Sequence, residues 1–325
     1  MHRTEHWAFD WEIDDMVSIR KILVDIDAAA IPHPALEAAV KLARRLSAAL
    51  KIVDVVPELP WISRALGSES IERDLVSYRQ DRLATMAACL TSEGLSVETG
   101  VLRGRPALAI VREVIDSGHD LVVRSHDTVG WPDKGKQFGA IDMHLLRLCP
   151  TPVWLVDARA GSAPRRVLIA MNADPADAAE RDINLHIADV TAALVRPDAT
   201  EMTLLQAWTP FGEQLVRSRM QKTELSAYVE TARTRAVEGV RALLPEVRGR
   251  LGEVGVEVIQ GDPATAISQF AEERSVDLVV MGSVARAGIQ GLVMGNTAES
   301  VLQRLRCSVL VIKPKGFRSP MHVEA

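Results

Sequence analysis

Arg20-Lys21-Ile22-Leu23-Val24-Asp25-Ile26-Asp27 and Arg165-Arg166-Val167-Leu168-Ile169-Ala170-Met171-Asn172 are two versions of one stretch. Each opens on a basic pair, runs through a short apolar segment, and reaches a polar residue where a strand should end. The likeness continues outward in order. Gly104-Arg105-Pro106-Ala107 matches Gly261-Asp262-Pro263-Ala264, and Asp120-Leu121-Val122-Val123 matches Asp277-Leu278-Val279-Val280. Pro152-Val153-Trp154-Leu155-Val156 matches Ser308-Val309-Leu310-Val311-Ile312. Matches that keep their order indicate a tandem duplication. The expected division is an N-terminal extension over 1–16, disordered; a first domain over 17–158; a second over 164–316; and a tail over 317–325. Ala158 to Pro164, with Gly161 and Ser162, reads as the linker.

Each half alternates strand and helix. Short apolar runs predict strands near 20–26, 51–57, 96–102, 120–124 and 152–157, and again near 165–171, 202–208, 255–260, 277–281 and 308–313. Runs apolar on both faces, such as Leu278-Val279-Val280, suit buried parallel strands. Ile183, Ile187, Val190 and Leu194 recur at helical spacing within 177–196, and Leu36, Val40, Ala43 and Leu50 are read as a similar face in the first half. Pro106 and Pro263 stand where helices should start, a position proline tolerates. Longer helices are expected near 68–91 and 221–251. This alternation implies an α/β fold of two tandem, doubly wound parallel five-stranded sheets. With strand order 3-2-1-4-5, a ligand belongs at the carboxyl ends of strands 1 and 4, where the winding reverses.

Composition limits the alternatives. The chain has 325 residues, 47% of them hydrophobic and 25% charged, which fits a folded chain of about two domains. The net charge of -5 argues against nucleic-acid binding, which needs a concentrated basic surface. Aromatics at 4% argue against a base-stacking platform. Cys89, Cys149 and Cys307 are scattered and odd in number, as expected for free thiols in a reducing cytoplasm. No stretch reaches the ~20 apolar residues of a membrane helix, and no secretory leader is evident. The expectation is a cytoplasmic chain with no membrane or nucleic-acid partner.

After the fourth strand of the second half comes Gly282-Ser283-Val284-Ala285-Arg286-Ala287-Gly288-Ile289-Gln290-Gly291-Leu292-Val293-Met294-Gly295-Asn296-Thr297-Ala298-Glu299, and then a helix expected over 297–305. Glycines ahead of a helix N-terminus suit phosphate. The plain alternative is a surface loop, with Asn296 or Thr297 capping the helix and Glu299 in its first turn. The Gly-Asn-Thr-Ala-Glu run and the duplicated α/β pattern over 17–316 resemble tandem universal stress proteins, most closely the two-domain E-type branch. That resemblance implies a Rossmann-like fold, a stress-response role, and an internal pseudo-dimer of the halves; a homodimer is also left open. Nucleotide-binding members carry Gly-x2-Gly-x9-Gly-(Ser/Thr). Here Ala285 replaces the second glycine and adds a Cβ in the loop, while Asn296-Thr297 replaces the immediate hydroxyl. The family's acidic residue after strand 1 is Asn172 here, which keeps hydrogen-bonding capacity without charge. The resemblance implies ATP, with Mg, on Asn172, Gly282, Ser283, Arg286, Gly288, Gly295, Asn296 and Thr297.

The first half inverts this pattern. Asp27 follows strand 1, but strand 4 leads into Arg124-Ser125-His126-Asp127 with no glycine-rich signature, although Gly139 stands where Gly295 does. This half is expected not to bind ATP in the family's manner. Gly130 to Lys136 spells GxxxxGK, but Gln137 follows in place of Ser or Thr and the loop trails the wrong strand, so it is not read as a phosphate loop. His126, Asp127 and His144 are the one metal-ligating grouping worth testing; solvated or hydrogen-bonded side chains are the plainer reading. Cys149 and Cys307 read as buried inert thiols. No GxSxG elbow or dedicated acid–base pair is present, so any ATP hydrolysis should be slow. Two other functions stay open. Ile289, Leu292, Val293 and Met294 could favour an amphiphilic or lipid-like ligand, or pack against the other half. The chain could also be an interaction scaffold, with the fifth-strand edges of its halves paired.

Overall fold

The computed structural model describes residues 17–57, 69–126, 138–157, 159, 163–174, 177–212, 221–283 and 294–321. The extension over 1–16, most of the linker, Asp127, the GxxxxGK stretch and the loop residues 284–293 lie outside them.

The first half runs β1 (Lys21–Asp25), α1 (Pro34–Leu46), β2 (Ala49–Val56), α2 (Glu69–Ser92), β3 (Val97–Arg103), α3 (Pro106–Ser117), β4 (Leu121–His126), α4 (Ala140–Leu148) and β5 (Val153–Asp157). The second repeats it as β6 (Arg166–Ala170), α5 (Ala178–Leu194), β7 (Glu201–Trp208), α6 (Lys222–Leu251), β8 (Gly255–Gln260), α7 (Pro263–Glu273), β9 (Leu278–Gly282), α8 (Asn296–Leu302) and β10 (Ser308–Ile312). Within each half the strands are parallel in the order 3-2-1-4-5.

Local chemistry sets the helix ends. Pro34, Pro106 and Pro263 each sit in the first turn, where a missing N–H costs nothing. Asp177 caps α5 by accepting from the Ala179 and Glu180 amides at 3.0 and 3.2 Å. α1 stops where Ser47 turns left-handed at φ 55°. That early stop places Leu50 on β2 rather than on the helix face; its fit to the helical spacing is a coincidence of register. α8 begins earlier than the expected 297–305, with Gly295 at its N-cap and Asn296 already helical. Neither Asn296 nor Thr297 is the cap.

The two five-stranded sheets merge into one. β5 and β10 pair antiparallel, with Leu310 opposite Trp154, and produce a continuous sheet of ten strands. All five residues of each strand are buried. Edge strands left open invite association, and here each half closes the other's edge. One face packs Ile22, Val24, Ile169 and Val280 beneath α1, α2, α5 and α6. The other packs Leu23, Val122, Leu168 and Val279 beneath α3, α4, α7 and α8. Each core therefore runs through both halves, and each fully buried aliphatic side chain contributes about 1.5–3 kcal/mol. Polar contacts also cross the junction. The Arg45 guanidinium donates to the Val195, Ala193 and Leu194 carbonyls at 2.8, 2.7 and 2.6 Å, which caps α5 from the other half. Arg147 pairs with Glu299 at 2.7 Å. No helix among the described residues is long and apolar enough to cross a membrane.

Candidate functional site

Each half carries a cavity at the carboxyl ends of its first and fourth strands, about 490 Å³ in the first and about 410 Å³ in the second. This is where doubly wound sheets hold ligands. The pairing registers show how the two mouths correspond. Asp25 stands against Arg124 as Ala170 stands against Met281. In the same frame Asp54 corresponds to Gln206, Asp27 to Asn172, and His126 to Ser283.

In the first half, ion pairs fill the mouth. Arg124 bridges Asp25 on β1 and Asp142 on α4, the latter at 3.0 Å, and both carboxylates are buried. Arg79 of α2 pairs with buried Asp54 and lies 3.6 Å from exposed Asp27. The Ala28 amide donates to Asp54 at 2.8 Å. Burial, helped by the nearby Arg82 charge, pushes the His33 imidazole below its usual pKa. His126 is buried, with its ring edge-on to Phe138 at 5.0 Å, while His144 is exposed on α4. Among the described residues no three His, Cys, Asp or Glu side chains gather as a metal site. Asp25, Asp54 and Asp142 were not singled out in the sequence. The one signal was Asp54 breaking the apolar run Ile52-Val53-Asp54-Val55-Val56.

The second-half mouth is built from neutral polar groups. Asn172, Gly282, Ser283, Gly295 and Thr297 all line the cavity. Asn296 does not line it, and Arg286, Gly288 and Ala285 lie outside the described residues. Gly282 ends β9, and a Cβ there would meet Ile183 and Ile187 at 3.5 Å, an ordinary packing distance. Its N-terminal neighbours form a buried strand, and the space against α5 would take a Cβ, so the packing there does not require glycine. The Gly295 amide is already engaged, donating to the Ser283 carbonyl at 2.9 Å. The Ser283 side chain differs: it is 1% exposed, and its hydroxyl has no hydrogen-bond partner among the described residues. A buried hydroxyl without a partner costs free energy that a ligand can return. Beside it, Gln206 and Asn184 hold Asn172. The Asn184 amide donates to the Asn172 carbonyl at 2.9 Å and Gln206 Nε2 donates to Asn172 Oδ1 at 3.2 Å. Glu180 is the one charged side chain among the described residues lining this cavity. Gln206 also breaks an apolar strand, and that interruption was its available signal in the sequence.

The universal stress protein family model matches residues 18–157 and again residues 165–313. The chain belongs to the universal stress protein family. It is similar to Universal stress protein E of Escherichia coli, 29% identical over 320 residues covering 95% of this chain and 98% of that protein. It is also similar to the Universal stress protein E homolog of Haemophilus influenzae, at 28% identity over 92% and 98%. Among solved structures, a functionally unknown Pseudomonas aeruginosa protein superposes with a TM-score of 0.67 at 26% identity, covering 93% of this chain and 95% of that one. A universal stress protein from Archaeoglobus fulgidus superposes at 0.59 and 17% identity, covering 90% and 98%, a likeness of fold. The chain is thus a tandem universal stress protein similar to the E type, and the match of the family model to both halves agrees with the duplication read from its strands.

The remaining reactive groups sit away from the mouths. Cys89 is exposed, while Cys149 and Cys307 are buried. Burial raises both buried thiols above their usual pKa, that of Cys307 to about 12, so thiolate is scarce at neutral pH.

Proposed function

We propose that this tandem universal stress protein senses a nucleotide in its second-half cavity and alters its associations in response. ATP, with Mg supplied by the bound nucleotide, is the ligand that the family resemblance implies. The carrying observation is the buried Ser283 hydroxyl, without a hydrogen-bond partner among the described residues, on a residue that lines the cavity at the winding reversal. Thr297 in the first turn of α8 and the side-chain amides of Asn172 and Gln206 line the same cavity, a set of hydroxyl and amide groups that suits phosphate and base or sugar. The first half instead neutralises its mouth internally through Arg124 and Arg79, which leaves it a structural partner. Among the described residues lining the second cavity nothing resembles an acid–base pair, and the proposed role is binding rather than rapid turnover. An amphiphilic ligand is the second reading, favoured by Ile183, Ile187 and Trp208 on the cavity wall; Met294, however, is buried in the core and does not contribute an exposed apolar surface.

Native mass spectrometry on the purified full chain, before and after adding Mg-ATP, tests the proposal. A nucleotide adduct supports it. A lipid-like adduct favours the second reading, and a chain that stays bare refutes nucleotide sensing.

A further inference from the structure

Among the described residues β3 and β8 are the outer strands of the ten-stranded sheet, and each pairs on one side only. The seam shows how this fold closes an edge, since β5 and β10 meet there antiparallel. β3 is the poorer edge for a second such seam. It carries exposed Glu98 and Arg103 and has Gly100 at its centre, all features that weaken edge pairing. β8 has half-buried Glu257 as its one charge, no proline, and an exposed Val256. The backbone groups that β8 leaves open follow from its pairing with β7. The Gly261 N–H donates to the Trp208 carbonyl at 2.9 Å, so Gly261 faces β7. Bonding direction alternates along an edge strand, so Ile259 and Glu257 also face β7. Val256, Val258 and Gln260 therefore turn their N–H and C=O groups to the open side. Val254 is next in that series, and its carbonyl already accepts from Arg248 at 3.3 Å, which bounds the open stretch.

We infer that β8 is the interface for a second copy of this chain, paired antiparallel about a two-fold axis at Val258. An axis perpendicular to the sheet passes a residue that faces itself, because the pleat sends neighbouring side chains to opposite faces. An axis at Glu257 sets two carboxylates directly opposite each other, which is unfavourable. An axis nearer either end leaves Val256 or Gln260 without a partner. With the axis at Val258, the open groups of Val258 meet those of Val258 in the second copy, and those of Val256 meet Gln260. Glu257 then lies opposite Ile259, and every open group on β8 gains a ladder partner. A contact between like edges uses the same surface on both copies, so the assembly closes as a dimer. The inference does not depend on the nucleotide reading.

Sedimentation equilibrium of the full chain tests this. The parent is expected to reach twice the chain mass, and no more, as its concentration rises through the micromolar range. Val258→Lys and Val258→Glu each set like charges against each other at the axis, and each alone should weaken the dimer about tenfold. An equal mixture of the two should restore it, a rescue open only to a residue that faces its own copy. Val258→Pro removes an outward N–H and no bond to β7, so it should give a monomer with the parent's circular dichroism. The Gly104 N–H donates to the Val56 carbonyl at 3.1 Å, so by the same alternation Thr99 faces outward on β3, and Thr99→Pro should leave the dimer intact. A parent that stays monomeric, or that assembles beyond a dimer, overturns the inference. A dimer that survives Val258→Pro, or that Thr99→Pro abolishes, overturns the assignment to β8. Failure of the Lys and Glu variants to rescue each other overturns the axis at Val258.

Discussion

Arg124→Met should destabilise the protein severely, and the same change combined with Asp25→Ala and Asp142→Ala should not. The duplication supplies the control. At the three equivalent positions the second half carries Ala170, Met281 and Ala298, and it folds around them with Ala298 buried. In the first half Arg124 neutralises two carboxylates that are each 3% exposed. Removing the arginine alone leaves both buried and unpaired, which typically costs about 3–5 kcal/mol. Removing all three charges also removes the desolvation penalty, so apolar replacement of a buried triad is often neutral or better. One loss remains, because Asp142 also accepts from the Gly139 amide at 2.9 Å at the start of α4. A lost helix-cap bond costs about 1 kcal/mol. The triple variant should therefore lie within about 2 kcal/mol of the parent, at least 1–2 kcal/mol above the single one. Urea unfolding followed by circular dichroism measures both. A triple variant as unstable as Arg124→Met would refute the reasoning, since it would mean that the cost lies in packing and not in charge.

Lys313 offers a pH test. It is buried, donates to the Arg147 carbonyl at 3.2 Å, lies over the Phe317 ring at 4.6 Å, and burial lowers its pKa from 10.5 to about 8. The unfolded chain binds the extra proton between these values, so this group makes stability rise with pH across about 8 to 10.5. Lys313→Met should then stabilise by about 2 kcal/mol at pH 7, after allowing about 1 kcal/mol for the lost hydrogen bond, and the gain should fade toward pH 10.5. Urea midpoints over that range would show it. Arg45→Ala, which uncaps α5 across the junction of the halves, should cost about 1–3 kcal/mol by the same method. In a thiol-labelling time course Cys89 should react in the native protein, and Cys149 and Cys307 only after unfolding. Rapid native labelling of either buried thiol would contradict the packing described above.

The fold was legible because strand 1 and strand 4 recur in both halves with their flanking residues, and because apolar runs at such spacing have few other uses. Pairing of the fifth-strand edges was open in the sequence only as part of a scaffold alternative; its antiparallel direction, with Leu310 opposite Trp154, needed the register of β5 against β10. Leu50 misled because helical and strand periodicities coincide over a short apolar run, and only the left-handed turn at Ser47 separates them. At the site, Asp27 and Asn172 could be found by position after strand 1. Their supports could not. Asp54 and Gln206 act from the neighbouring strand, and their meaning depends on which backbone group reaches them: the Ala28 and Ala173 amides fold back over strand 2 in a way that no local pattern records. Arg124 read as a departure from a glycine-rich motif. Its role as the shared partner of Asp25 and Asp142 needed the register of β1 against β4 and the approach of α4.

The account turns on one functional site per chain, placed in the second half. Titration calorimetry of the full chain with purine nucleotides, comparing the parent with Asn172→Leu and Asp27→Leu, tests that placement most directly. The account predicts one nucleotide per chain, binding lost in Asn172→Leu and kept in Asp27→Leu. Two nucleotides per chain, or binding lost with Asp27 and kept without Asn172, would contradict it.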